Sequence, residues 1–229
     1  MIFPLRGCLS NSRYWLHSSP VEFEGMDDNT PTDVAEENPC LVFFQVHAEN
    51  KEKVKILQTH PRLSEFERLT ASNLSPGPVG NAEELLRQIF NPLHVELDTG
   101  DLKPSAFEDA ANKGMSVDRL RYREQEASFE AGYARAEVAN AHARPDAPPR
   151  TLHGLAKLRA ESVRALKSGD IQCFGVYDTA LADNRAHADI CQLLRDKKAA
   201  RSARSRLVDL AKGSIALAAE RSEKNNNSD

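Results

Sequence analysis

The sequence is poor in aromatic residues, which make up 6% of its 229 positions, and it has one tryptophan and four cysteines. Cys8, Cys40, Cys173 and Cys191 are widely spaced and form no CxxC pair. That excludes the dense disulfide framework of a small secreted scaffold and suits reduced thiols in a cytoplasmic protein. Apolar runs such as Leu41-Val42-Phe43-Phe44 are far too short to cross a membrane. The first residues, Met1 to Leu9, lack a basic region, a long apolar stretch and a small-residue cleavage site, so no signal peptide is expected. Also missing are GxGxxG, GxxxxGK[ST], HExxH, GxSxG and an EF-hand loop, which removes the commonest nucleotide, zinc-protease and hydrolase readings. Nor is there an excess of basic charge. Lys+Arg is 30 against Asp+Glu 34, a net charge of −4, which argues against a surface that wraps nucleic acid as a whole.

What is present is a globular mixture, 40% hydrophobic and 28% charged. Residues 1–39 hold Pro4, Pro20, Pro31 and Pro39 and seven acids against Arg6 and Arg13, and read as a flexible acidic arm. Met26 precedes a polar Asp-Asp-Asn-Thr-Pro stretch, so residues 1–25 read as an upstream extension; the rival is a short arm docking through Phe3, Tyr14, Trp15 and Phe23. Residues 40–213 are expected to form a single α+β domain, and 214–229 a C-terminal extension and frayed tail.

Within the domain, strands are expected at 41–46, 93–97, 115–120, 162–166 and 171–177. Helices are expected after Pro61, at 82–90 behind an Asn81/Glu84 capping box, at 122–143, and from about 188 to 212. Residues 49–58 suit either state. Breaks fall at 73–80 and 145–149, where Pro and Gly gather. The strands cluster unevenly between helices. This predicts a small mixed or antiparallel sheet of about five strands packed on two or three helices, with a long C-terminal helix.

Three polar clusters carry the candidate chemistry. In the stretch from Tyr177 to Asp189, Asp178, Asp183, His187 and Asp189 suit a metal or an oriented His–carboxylate pair, with Asn184 and Arg185 as ligand contacts. The simpler reading has Asp183 or Asn184 capping the last helix. The second cluster is His94, Asp98, Asp101, Lys103 and Ser105, where His94 on a strand beside a Gly turn suits a general base. In the third, Ser116 and Asp118 share one face of a strand while Arg119 and Arg121 share the other, and a guanidinium there would anchor an anion. His60, His142 and His153 are isolated and read as packing or capping residues.

From Arg195 to Lys212 seven basic residues face only Asp196 and Asp209, the clearest charge asymmetry in the chain. Two functional readings follow. In the first, the protein is a non-catalytic interaction or regulatory subunit of a cytosolic assembly, meeting a protein partner through Lys197, Lys198, Arg201 and Arg204. In the second it is a small hydrolase or transferase. Strand tips would gather His94, Ser116, Asp178 and His187 as catalytic groups and Arg119, Arg121, Asn184 and Arg185 as contacts to an anionic or nucleotide-like small molecule. Nucleic-acid binding through the basic helix is a weaker third reading, since interleaved aromatics are absent. No cofactor and no metal set is named by the spacing.

Overall fold

The computed structural model describes residues 37–219. The expected acidic arm lies outside them except for its last residues, as does the end of the tail. The fold is α+β, with helices α1 Pro39–Val46, α2 Lys53–Leu57, α3 Leu63–Phe66, α4 Gln125–Ala141, α5 Ala160–Arg164 and α6 Lys197–Ala211, and a 3₁₀ helix at Pro104–Ala111. The strands are β1 Glu84–Asn91, β2 Met115–Arg119, β3 Thr151–Arg159, β4 Lys167–Ser168, β5 Ile171–Gln172, β6 Phe174–Tyr177, β7 His187–Gln192 and β8 Ile215–Leu217. Strands β4 and β5 form a hairpin; the others form a six-stranded antiparallel sheet in the order β6-β7-β2-β1-β3-β8.

Several elements differ from expectation, each for a readable reason. The segment 41–46 is helical, not a strand: Asn38 caps it by accepting from the Cys40 and Leu41 N–H groups, and Pro39 occupies the first turn. Cys40, Phe43 and Phe44 then fall on one buried helical face. The segment 82–90 is a strand, not a helix. Leu85 and Ile89 enter the core on one side of the sheet, and Leu86 and Phe90 enter a second cluster on the other. A strand buried on both faces shows no alternation, and its apolar pairs imitate a helical stripe. Residues 93–97 form a turn with one isolated bridge, Val95 to Leu102, and 162–166 belongs mostly to α5. The final helix starts only at Lys197, capped by Asp196, whose carboxylate accepts from the Ala199 N–H; neither Asp183 nor Asn184 caps it, because 187–192 is a strand. His153 sits in β3, and residues 215–217, expected in an extension, add the edge strand β8.

The two faces of the sheet are covered differently. One is sealed by the 3₁₀ helix, α5 and α6, whose Ala106, Phe107, Val163, Ala200, Ala203 and Leu207 meet Leu85, Val117, Phe174 and Ile190. The other is covered in two separate pieces. Helix α4 lays Phe129 and Ala136 over Leu86, Leu152 and Leu155 of β1 and β3. Helices α1 to α3 lay Phe44, Leu57 and Phe66 against Tyr177 and Cys191 of β6 and β7. Between the two pieces lie β2 and the start of β7.

Edge strand β8 depends on Gly154. A Cβ there would stand 2.4 Å from the Ala216 carbonyl oxygen, a backbone atom that cannot swing aside. Gly154→Ala is expected to cost about 2 kcal/mol by overpacking and to speed amide exchange at Ala218, whose N–H donates to the His153 carbonyl. Urea unfolding and hydrogen exchange check both.

Candidate functional site: a polar cleft over β2 and β7

The register pairs Ser116 with Asp189 and Asp118 with His187. Residues two apart on a strand share a face, so these four side chains form a polar grid on the incompletely covered side. Val117, Ala188 and Ile190 alternate with them into the opposite core. The Arg119 N–H donates to the Ala186 carbonyl at 2.8 Å. That places both polar pairs at non-hydrogen-bonded positions, where facing side chains come closest.

Above this floor run two recesses of about 230 and about 470 Å³, which share Ser116, Leu181 and His187. Gln88, Asp118, Arg123 and Arg135 line the smaller, on the α4 side; Lys53, Ser72, Lys113, Thr179 and Asp189 line the larger, on the α1–α2 side.

His187 is held in one orientation. Its Nδ1 lies 3.0 Å from both the carbonyl oxygen and the hydroxyl of Thr179. A carbonyl only accepts, so Nδ1 carries the proton and the Nε2 lone pair is free in the neutral ring. Nε2 stands 3.9 Å from Asp189 Oδ1, while Asp189 Oδ2 accepts from Lys53 Nζ at 3.0 Å. Both partners of that ion pair are buried. Burial opposes the Lys53 charge, but Asp189 outweighs it and holds the ammonium above the ordinary lysine value. Gly114, at φ +91°, passes the same carboxylate so closely that a Cβ would lie 2.8 Å from its carbon. The arrangement has a fixed imidazole with a free basic nitrogen, and a buried carboxylate ready to face an imidazolium. Beside them is the Ser116 hydroxyl, with no protein hydrogen-bond partner among the described residues.

Asp118 belongs to the grid as a framework group: Oδ2 accepts from Ser128 Oγ at 2.7 Å and Oδ1 from Asn184 Nδ2 at 2.6 Å, with Arg123 at 3.7 Å. Asn184 thereby ties the 178–187 loop to β2.

Other expected site residues lie elsewhere. His94 does not reach the cleft. It is buried beyond the end of β1, where its Nδ1 accepts from the Phe90 N–H, and burial together with Arg87 pushes its pKa down to about 4. Arg119 points to the opposite face of β2. It makes a two-pronged ion pair with Glu83 at 2.8 Å per contact and donates to the Gly77 and Pro78 carbonyls, so it locks the Pro-Gly segment and has no free edge for a ligand. Arg121 is exposed against the Tyr122 ring, and Arg185 is exposed on the loop. Asp178 lies beneath the cleft wall, accepting from the Ser75 hydroxyl and the Ala71 N–H. It positions the 71–74 loop and does not face the recess. Among the described residues no group of three or more His, Cys, Asp or Glu could hold a metal.

On α6, Lys197, Lys198 and Arg201 are exposed, whereas Arg204 donates to Gln192 Oε1 at 2.8 Å. The helix has already spent its apolar stripe on the core. Sequence reasoning missed Lys53, Gln88 and Arg135 as cleft residues. The signal for Asp118 and Asp189 was there, as polar residues two apart within apolar strands; Lys53 meets Asp189 across 136 positions and leaves no local trace. No protein-family model, curated protein or solved structure matches this chain. Among the described residues no helix is long and apolar enough to cross a membrane.

Two measurements follow from these contacts. Lys53→Met strands the Asp189 carboxylate and is expected to cost about 3 kcal/mol in urea unfolding, as for breaking a buried ion pair. Asp178 is buried, which raises its pKa to about 6 although its hydrogen bonds pull the other way. The folded state therefore binds its proton more tightly than the unfolded chain does. Its stabilising contribution is complete below about pH 4 and fades as pH climbs through about 6. Asp178→Asn removes the charge, keeps an acceptor for the Ala71 N–H and turns Nδ2 as donor toward the Ser75 oxygen, so its stability relative to wild type should rise across that window by on the order of 2 kcal/mol.

Proposed function

We propose that the cleft over β2 and β7 is the active site of a small hydrolase or transferase acting on an anionic small molecule, with His187 as general base. The observation that carries this reading is the placement of His187: Nδ1 lies 3.0 Å from the Thr179 carbonyl, and the ring lines the recess beside the buried Asp189–Lys53 pair. Such a base takes a proton from a water or from the Ser116 hydroxyl, which lies diagonally across the β2–β7 pair. The imidazolium then formed is stabilised by Asp189, whose charge is held in place by Lys53. Arg135 and Lys113, exposed on opposite walls, supply attraction for an anionic substrate. A cytoplasmic setting belongs to the same reading, supported by the free thiols Cys40, Cys173 and Cys191 buried in the core.

A second reading, docking of an acidic protein partner, is favoured by one observation: Lys55, Arg195, Lys197 and Arg201 line a groove of about 510 Å³ between α2 and α6. It lacks a free apolar seam, since the stripe of α6 is core. That difference ranks it below the cleft.

The test is turnover of p-nitrophenyl phosphate, p-nitrophenyl acetate and nucleoside triphosphates by wild type and His187→Asn. A substrate turned over by wild type should lose at least about 100-fold in kcat in the variant, with an unchanged unfolding midpoint. Equal rates in the two proteins, or no turnover across the panel, would remove His187 as base.

A further inference from the structure

We propose that Gln88 and Asp118 form an acceptor subsite at the α4 end of the cleft that takes an N–H donor of the substrate, an amino group on a planar heterocycle. The inference rests on the active-site reading above and specifies the substrate class: an amino-heterocycle carrying an anionic group, as in a cytosine or adenine nucleotide.

The decisive atom is Gln88 Oε1. Gln88 lies in the middle of β1, two residues from Leu86, the register partner of Asp118, so Gln88 and Asp118 share the cleft face. Gln88 is 6% exposed. Nε2 donates to the Ser128 carbonyl at 3.1 Å. Because that carbonyl only accepts, the amide cannot be turned round, and Oε1 must be the atom left over. Three buried side-chain polar atoms among the described residues lack a partner: Gln88 Oε1, Asn91 Oδ1 and the Tyr177 hydroxyl. Tyr177 is folded over Gly175 within the sheet's covered region, whereas Gln88 lines the recess.

A buried acceptor without a donor lowers stability, and a polar recess that keeps one is shaped for a donor from outside. Asp118 reinforces the choice. Its two oxygens each accept one short bond, Oδ1 from Asn184 and Oδ2 from Ser128; Arg123 stands 3.7 Å from Oδ1, and Oδ2 has room for a second bond. Gln88 Oε1 and Asp118 Oδ2 thus give this part of the floor two acceptors side by side, with the Arg123 guanidinium on the Oδ1 side, which favours an N–H group over a carbonyl next to Gln88. Arg135, on α4 above the same recess, makes no ion pair among the described residues and supplies the charge for the anionic group. A head rich in donors and a negatively charged tail thus have separate partners within one recess.

Matched nucleotides test the idea directly: CMP against UMP, and AMP against IMP, titrated by calorimetry into wild type, Gln88→Met and Arg135→Ala. Wild type should bind the amino member of each pair at least about tenfold more tightly. Gln88→Met should bring the ratio to near one. Arg135→Ala should weaken all four and keep the ratio. Equal affinity within each pair in wild type, or a ratio that survives in Gln88→Met, would each overturn the subsite. If none of the four binds while His187-dependent turnover of another substrate persists, the subsite fails and the active-site reading stands. If both are absent, both fail.

Discussion

The buried ion pair between Lys53 and Asp189 sets the conditions for everything on the open side of the sheet. Asp189 is buried on β7, one strand in from the sheet edge, where an uncompensated carboxylate would be very costly. Lys53 reaches it from α2 at 3.0 Å, and so anchors the α1–α3 cover onto β7. That cover stops short of β2, because its next contact with the sheet would fall on Ser116, Asp118 and His187. Helix α4 stops on the other side for the same reason, with only Ser128 reaching down to Asp118. The cleft is therefore the space that two apolar covers leave when the strands beneath them turn polar.

How far the sequence could be read depended on whether a local pattern carried the information. The alternation of β2, the long helix that became α4 and the Pro–Gly breaks were legible because each is decided by near neighbours. Strand β1 was not, since Leu85-Leu86 and Ile89-Phe90 feed two cores at once and mimic a helix. The segment 187–192 was merged into the last helix because Ala188 and Ile190 suit either state, and what makes it a strand is its pairing with β2 and β6. The site followed the same division. Ser116, Asp118, His187 and Asp189 were visible as polar residues two apart, although their pairing was not. Lys53 and Gln88 depend wholly on contacts made across the fold.

Charge offered a misleading landmark. The basic run on α6 is the strongest sequence asymmetry, yet Ala200, Ala203, Leu207 and Ala211 bury that helix against the core, and Arg204 and Arg206 are engaged with Gln192 and the Lys167 carbonyl. Long basic side chains here clothe a surface helix. The cleft, by contrast, has near-balanced charge, and its distinction is geometrical: acids, bases and a hydroxyl held at fixed positions.

The hydrogen-bond ledger separates scaffold from site. Arg87 sends its guanidinium into the Ala106 and Ser116 carbonyls and Asp109; Arg119 is saturated by Glu83 and two carbonyls; Asp178 is met by Ser75 and Ala71. Each of these buried polar groups has spent its bonding capacity on the chain, and each lies outside the recess. His187 Nε2, the Ser116 hydroxyl and Gln88 Oε1 have capacity unspent, and all three residues line one recess. Folding accounts for the Gln88 bond to the Ser128 carbonyl but not for the unmet Oε1 beside it. On the reading proposed above, a ligand with a proton to give and a donor to offer supplies the reason.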